Sequence, residues 1–376
     1  MANVSGRPAC IEVDLAALRH NVTVMRKQVS PALLMAVVKA NAFGHGAVPI
    51  ARAALIAGAE KLAVATIDEA IELRQNGIAA PILNLGWTAP EEITQALRYN
   101  IQMTVFDYEN AALISMVATR QRKNASIHIK VDTGLCRLGF PSKIAEMTAL
   151  KRLYNLPKLK IEGVFSHFAC ADAADLSNAE QQLQRFVDFT DAMQAQGLKI
   201  LLRHIANSPA VVIFPASWLD MVRPGIMMFG CCPAEHLRHV LPLKQVMRVI
   251  AHIAQIHTLQ PGDYVGYSCR WQAKRESLIA TLPLGFADGV PRLLGNRGEV
   301  LIKGQRVPIV GSVTMDQFMV DITDIVDVHQ GDEAVILGKQ ENELITPEEI
   351  ALHAQTITDE VVSRFGQRLP KVYLNE

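Results

Sequence analysis

The chain lacks any excess of charge. Its 376 residues carry 37 Lys and Arg against 37 Asp and Glu, a formal net charge of +0 at pH 7. That balance removes the electrostatic footing for nucleic acid or an anionic membrane surface, though not for a local basic pocket. Uncharged apolar runs of about eighteen residues are missing, so no membrane span is expected. The opening "MANVSGRPACIEVDLAALRHN" has no charged leader followed by an apolar core, and a cytoplasmic location is expected. There are six cysteines (Cys10, Cys136, Cys170, Cys231, Cys232 and Cys269) and no CxxC pair, which argues against a disulfide framework and for reduced thiols. "NVT" at Asn21 fits a glycan acceptor by pattern only and is set aside without a secretory route. No GxGxxG follows the first strand candidate, which disfavours a doubly wound dinucleotide-binding sheet.

What is present is an alternation. Eight short apolar runs occur in the first two-thirds: "LLMAVV" (33–38), "KLAVAT" (61–66), "PILNLG" (81–86), "QMTVFD" (102–107), "SIHIKV" (126–131), "IEGVFSHF" (161–168), "LLRHIA" (201–206) and "MVRPGIMMFG" (221–230). Between several lie stretches with helical spacing, such as "AVPIARAALIAGA" and "NAEQQLQRFVDFTDAMQAQG". Eight strand–helix units are the count of a closed (β/α)8 barrel, so the expected class is α/β with an N-terminal TIM-type barrel. After Pro242 the texture changes to strands and turns, with one helix predicted at "TPEEIALHAQ", capped by Thr346 with Glu349. The expected division is a barrel over 1–241 and a mainly β region over 242–376, which the early "IEVD" is a candidate to join.

In a barrel, chemistry collects where the strands end. Lys39 ends the first candidate and precedes a small, glycine-rich turn. Lys130 and Asp132 end the fifth, with Arg137 following in "KVDTGLCRLGF". His167 ends the sixth, Asn207 and Ser208 follow the seventh, and Arg223, Gly225 and Ile226 sit in the eighth. Each alone has an ordinary structural explanation; their coincidence at one rim is the signal. A metal centre is not supported, because His236 and His239 have no acidic partner on their face. "IANSPA" and "RPGIMMFG" offer a hydroxyl and backbone N–H groups suited to a phosphate. A lysine beside such a cradle suggests a phosphorylated aldehyde cofactor held by an imine.

On these motifs the chain resembles the fold-type III, pyridoxal 5'-phosphate (PLP)-dependent alanine racemases. "AVVKANAFGHG", "HIKVDTGLCRLGF", "GVFSHFACAD", "HIANSPA", "VRPGIMMFG", "VGYSCRW", "LPLGFADGVPR" and "VGSVTMDQFMVD" occur in the family's order over nearly the whole length. The resemblance implies an isomerase acting on alanine by two bases, in a homodimer with shared sites. By it, Lys39 carries PLP, and Tyr267 is the second base, reaching the partner's site. Arg223 contacts the pyridine nitrogen, where an arginine, with its pKa above about 12, would keep its proton. Arg137 meets the cofactor and the substrate carboxylate, and Lys130 matches a lysine often carbamylated to orient it. His167 supports Arg223, while Asn207, Ser208, Gly225 and Ile226 bind cofactor on the phosphate side. Met315 and Asp316 cross over from the partner toward substrate.

Three family tyrosines are replaced, by Phe43 near the phosphate, Phe286 at the entrance and Asp359 in "TITDE". Asp359 would favour a polar or cationic substrate side chain, which leaves serine or a broader amino-acid range as an alternative to alanine. A non-catalytic ligand sensor on the same fold is a further alternative. A related amino-acid decarboxylase is less well matched, because no cysteine and acidic pair stands in the C-terminal region.

Overall fold

Barrel strands are covered on both faces and need apolar side chains almost continuously. Leu33–Val37 and Ile82–Asn84 meet that demand, with four of five and all three residues buried. The structure, a computed structural model, describes residues 6–366 and 368–376; the sequence reading of residues 1–5 lies outside them. Strands Leu33–Val37, Lys61–Val64, Ile82–Asn84, Gln102–Val105, Ala125–Asp132, Leu159–Phe165 and Arg203–His204 pair in parallel in that order, and Met221–Val222 returns beside the first. Between the seventh and eighth strands the seam is closed by single bonds. Asp220 N–H donates to the Arg203 carbonyl (3.1 Å) and Arg223 N–H to that of Ala206 (3.0 Å). The result is a nearly closed (β/α)8-type barrel.

Helices form where caps and apolar spacing agree. Ile67–Gln75 starts at a complete capping box between Thr66 and Glu69, and Tyr108–Arg120 starts at Asp107, whose carboxylate accepts from Asn110 N–H. Helix Pro347–Ala354 starts where Thr346 predicts it, its hydroxyl accepting from Glu349 N–H. The Glu349 carboxylate does not complete the box, because Arg306 takes it at 2.6 Å.

The second layer is a mixed sheet of the later strands. Ala9–Asp14 belongs to it, antiparallel to Met247–His252 and parallel to Lys371–Leu374. One continuous apolar core includes Leu34 and Leu62 of the barrel and Val249, Val335 and Phe318 of the sheet. The two bodies therefore bury their apolar faces together.

Two boundaries differ from the sequence reading. The eighth strand ends at Val222, so Arg223, Gly225 and Ile226 lie beyond it, with Ile226–Phe229 forming a 3-10 turn. Pro224 breaks the strand there, since it has no N–H to pair. The sixth strand ends at Phe165, leaving His167 in the loop that follows.

Candidate active site

Lys39 opens a short turn whose handedness is unusual. Ala40, Asn41, Ala42 and Phe43 all have φ between 51° and 53°, so four successive non-glycine residues are left-handed. The expected glycine-rich turn is thus made by residues that resist it, at about 1–2 kcal/mol each. Specific bonds offset the strain. Ala40 N–H donates to Glu69 Oε1 (2.5 Å), Asn41 Oδ1 accepts from Ala47 N–H (2.8 Å), and Gly46 N–H reaches the Asn41 carbonyl (2.9 Å). Helix Thr358–Arg364 packs on the turn so closely that a Cβ on Gly44 would lie 2.4 Å from the Val362 carbonyl. That packing carries Asp359, in the helix's first turn, to the Lys39 side of the molecule.

Arg223 is the hub of the rim. Its guanidinium is buried and donates through Nη2 to the carbonyls of Ser166 (2.7 Å) and Ile205 (3.1 Å), and lies 3.1 Å from His167 Nδ1. Through Nη1 it donates to His204 Nδ1 (2.7 Å). Burial, with the Arg137 charge adding to it, lowers Arg223 to about 9, below the value above 12 that the sequence implied. It remains charged at neutral pH. Burial, then Arg223, hold His167 far below the usual histidine range, so it is neutral.

Lys130 is buried in the same basic field. Its Nζ lies 4.7 Å from the Phe165 ring centroid, with no carboxylate paired to it among the described residues. The neighbouring Asp132 carboxylate instead accepts from the N–H groups of Gly134 (2.9 Å) and Cys136 (3.1 Å). Burial, then the charges of Arg223 and Arg137, push the Lys130 amine well below its ordinary range. Arg137 itself is exposed, on the loop after the fifth strand.

The residues expected from sequence to hold a phosphate lie where two helical starts meet. Asn207 caps Ser208–Ile213, and the buried Ser208 hydroxyl accepts from Gly225 N–H (2.7 Å) and Met227 N–H (3.4 Å). Ile226 opens the 3-10 turn, where first-turn N–H groups point outward. A side chain at Gly225 would fill this space, since its Cβ would meet Phe43 Cζ at 3.1 Å.

Tyr267, Met315, Asp316 and Phe286 sit together on the β-rich region. Tyr267 is 75% exposed and Met315 56% exposed. The Ser312 hydroxyl lies 3.4 Å from the Tyr267 carbonyl, and Ala287 N–H donates to the Met315 carbonyl (3.0 Å). The Asp316 carboxylate is held by Arg368 at 2.7 Å. No hydrogen bond or ion pair among the described residues joins this group to Lys39.

Residues 13–233 match the alanine racemase N-terminal domain family, and residues 246–373 match the alanine racemase C-terminal domain family. The chain belongs to the alanine racemase family. It is 44% identical over 372 residues to an alanine racemase of Desulforamulus reducens, covering 98% of this chain and 99% of that one. Among solved structures, alanine racemase from Bacillus anthracis with bound L-Ala-P is 36% identical with a TM-score of 0.94, covering 99% of this chain and 96% of that one. The alanine racemase from Streptomyces coelicolor A3(2) is 37% identical, also with a TM-score of 0.94, covering 98% of each chain.

Within this family frame the barrel-rim residues read from sequence converge, and those of the β-rich region form a separate exposed group. The sequence reading missed His204, His128 and Glu69. His204 stands at the end of the seventh strand, the position class that singled out the others, and "LLRHIA" showed it. His128 and Glu69 carry no such signal, because their roles depend on contacts across strands and helices.

Proposed function

We infer that the protein interconverts the enantiomers of alanine with PLP and two bases. The observation that carries this is the convergence of Lys39, the Arg223 hub and the Ser208–Gly225 cradle on one barrel rim in a chain of this family. The residues present fit the cofactor. Ser208, Gly225 and Ile226 would hold its phosphate with Asn207 capping the helix beside it, Arg223 would face its ring nitrogen with His167 in support, and Lys39 Nζ would hold its aldehyde carbon. When bound, PLP supplies an electron sink that lowers the cost of negative charge at the substrate α carbon.

Racemisation takes a proton from one face of that carbon and returns one on the other. Lys39 Nζ serves one face, and the phenolic oxygen of Tyr267 from the partner subunit serves the other. The exposure of Tyr267 and Met315 supports a head-to-tail homodimer, in which Met315 and Asp316 complete the partner's substrate end. Arg137 orients the substrate carboxylate. A neutral Lys130 amine adds to carbon dioxide, forming a C–N bond and releasing a proton, and the resulting carbamate sets an anion between Arg137 and Arg223. The burial of Lys130 with no carboxylate paired to it among the described residues supports this assignment. The division into a barrel over 1–241 and a β-rich region over 242–376, and a cytoplasmic location, belong to the same proposal. Among the described residues no helix is long and apolar enough to cross a membrane.

A broader substrate range has an observation of its own. A cavity of about 340 Å3, lined by Asp172, Glu235, Glu348 and Asp359 among others, meets the expected site only through Asp359. Burial holds the Asp359 carboxyl above the usual carboxylate range, with Lys39 close enough to oppose the shift. A carboxylate there favours an ammonium-bearing side chain over an acidic one. The experiment is deuterium incorporation at the α carbon in D2O with both enantiomers of alanine, serine, lysine and arginine. Exchange with alanine supports the racemase reading, and binding of one of these amino acids without exchange of its α proton supports the ligand sensor. Exchange confined to alanine removes the broader range.

A further inference from the structure

Two histidines stand in the barrel interior behind the rim, in line with Arg223. His204 Nδ1 takes the Arg223 Nη1 donor at 2.7 Å, and His204 Nε2 lies 2.9 Å from His128 Nδ1. Both rings are fully buried. A guanidinium only donates, so His204 Nδ1 must be the acceptor and its proton must sit on Nε2. That proton is donated to His128 Nδ1, which leaves the His128 proton on Nε2. His128 Nε2 has no partner among the described residues. Protonation of either ring would place a donor against a donor. Burial together with the charges of Lys61, Lys130 and Arg223 disfavours it.

The strands are shaped to admit the His128 ring. The register between the fifth and sixth strands slips by one residue between Ile127 and His128, so that His128 faces Gly163. A Cβ on Gly163 would lie 2.7 Å from His128 Nδ1 and 3.0 Å from the Leu202 carbonyl. An irregular ladder and a missing side chain, opposite a ring with an unsatisfied nitrogen, weaken the barrel locally. Phe165 stacks on His204 with centroids 4.9 Å apart and planes within 2°, fixing the second ring.

We propose that His128 is a positioning residue for Arg223: its Nδ1 lone pair selects the His204 tautomer that can receive the guanidinium. Without that acceptor, a His204 proton on Nδ1 would meet the Arg223 donor and turn the guanidinium from its place. The proposal rests on the reading that Arg223 faces the cofactor ring, but the tautomer it requires is measurable apart from activity.

The test is nitrogen-15 NMR of full-length, PLP-loaded protein labelled in histidine, with PLP affinity measured in parallel by absorbance. Both imidazoles are expected neutral with the proton on Nε2 from about pH 6 to pH 8. His128→Leu removes the acceptor; it should mix the His204 tautomers and weaken PLP binding about tenfold, the loss of one buried hydrogen bond of about 1.4 kcal/mol. His128→Asn, whose Oδ1 can stand where Nδ1 stood, should restore both readouts. A wild-type His204 carrying its proton on Nδ1, or on both nitrogens, overturns the proposal without need of any variant. So does His128→Leu with unchanged tautomer and affinity, or a folded His128→Asn that fails to rescue. If the tautomers are as stated but alanine shows no α-proton exchange, the functional reading falls and the positioning role of His128 stands.

Discussion

Acid should destabilise this protein earlier than its carboxylates would require. His45 is buried against Phe229, with centroids 4.1 Å apart, and its Nδ1 lies 2.9 Å from the Phe43 carbonyl at the strained turn. Burial lowers it from 6.5 to about 4, and burial with the Lys61 and Arg223 charges lowers His128 to about 3. Depressed folded values mean that the unfolded chain binds the extra protons. Stability is therefore full above about pH 6.5 and falls as pH drops toward the folded values. At about pH 5 each unfolded histidine is nearly fully protonated and each folded one nearly neutral, so unfolding takes up almost two protons. The slope is about 2.5 kcal/mol per pH unit, and the loss between about pH 7.5 and pH 5 is about 4 kcal/mol. His167 and His204, also held far below their usual range, act in the same direction. Against a total stability of about 5–15 kcal/mol, that is a large fraction. The assay is the denaturant midpoint of the full-length protein at a series of pH values. His45→Gln should flatten the dependence by about one proton. A midpoint constant from about pH 7.5 to pH 5 would refute the assignment of neutral buried rings.

Four further outcomes follow from the rim. Lys39→Ala should abolish α-proton exchange and the absorbance of a lysine-bound cofactor, which borohydride would otherwise bleach. Ser208→Ala leaves the Gly225 N–H without its acceptor and should weaken PLP binding by about 1–3 kcal/mol, read by absorbance titration. Phe43→Tyr extends Cζ toward Gly225 and should tighten PLP binding by about 0.5–1.5 kcal/mol; equal or weaker binding would show that the ring does not face the phosphate. Protein equilibrated with carbon-13 bicarbonate should show a carbamate resonance that Lys130→Ala lacks.

The alternation of apolar runs was enough to read the barrel, because a strand buried on both faces leaves a continuous apolar signature and its crossover helix a periodic one. The seventh and eighth strands are shorter than their apolar runs predict. Ile205, Ala206 and Ile226–Phe229 are apolar beyond the paired residues because they lie in a buried loop and 3-10 turn, while Leu201 before the seventh strand is an exposed apolar residue. Rim residues were visible by their place at strand ends. The left-handed turn after Lys39 was not, since Ala40 and Ala42 have no preference for that conformation and are held in it by Glu69, Asn41 and a distant helix. His128 was hidden for a similar reason. Its role comes from a slipped register and a glycine on the next strand, which no single segment records.

The proposed mechanism needs two bases supplied by different subunits. Lys39→Ala and Tyr267→Phe proteins should each be inactive in α-proton exchange with alanine. Unfolded and refolded together in equal amounts, they should regain about a quarter of wild-type activity, because half the dimers are mixed and each mixed dimer holds one intact site. A mixture as inactive as its two components, with mixed dimers shown to be present, would contradict the shared site.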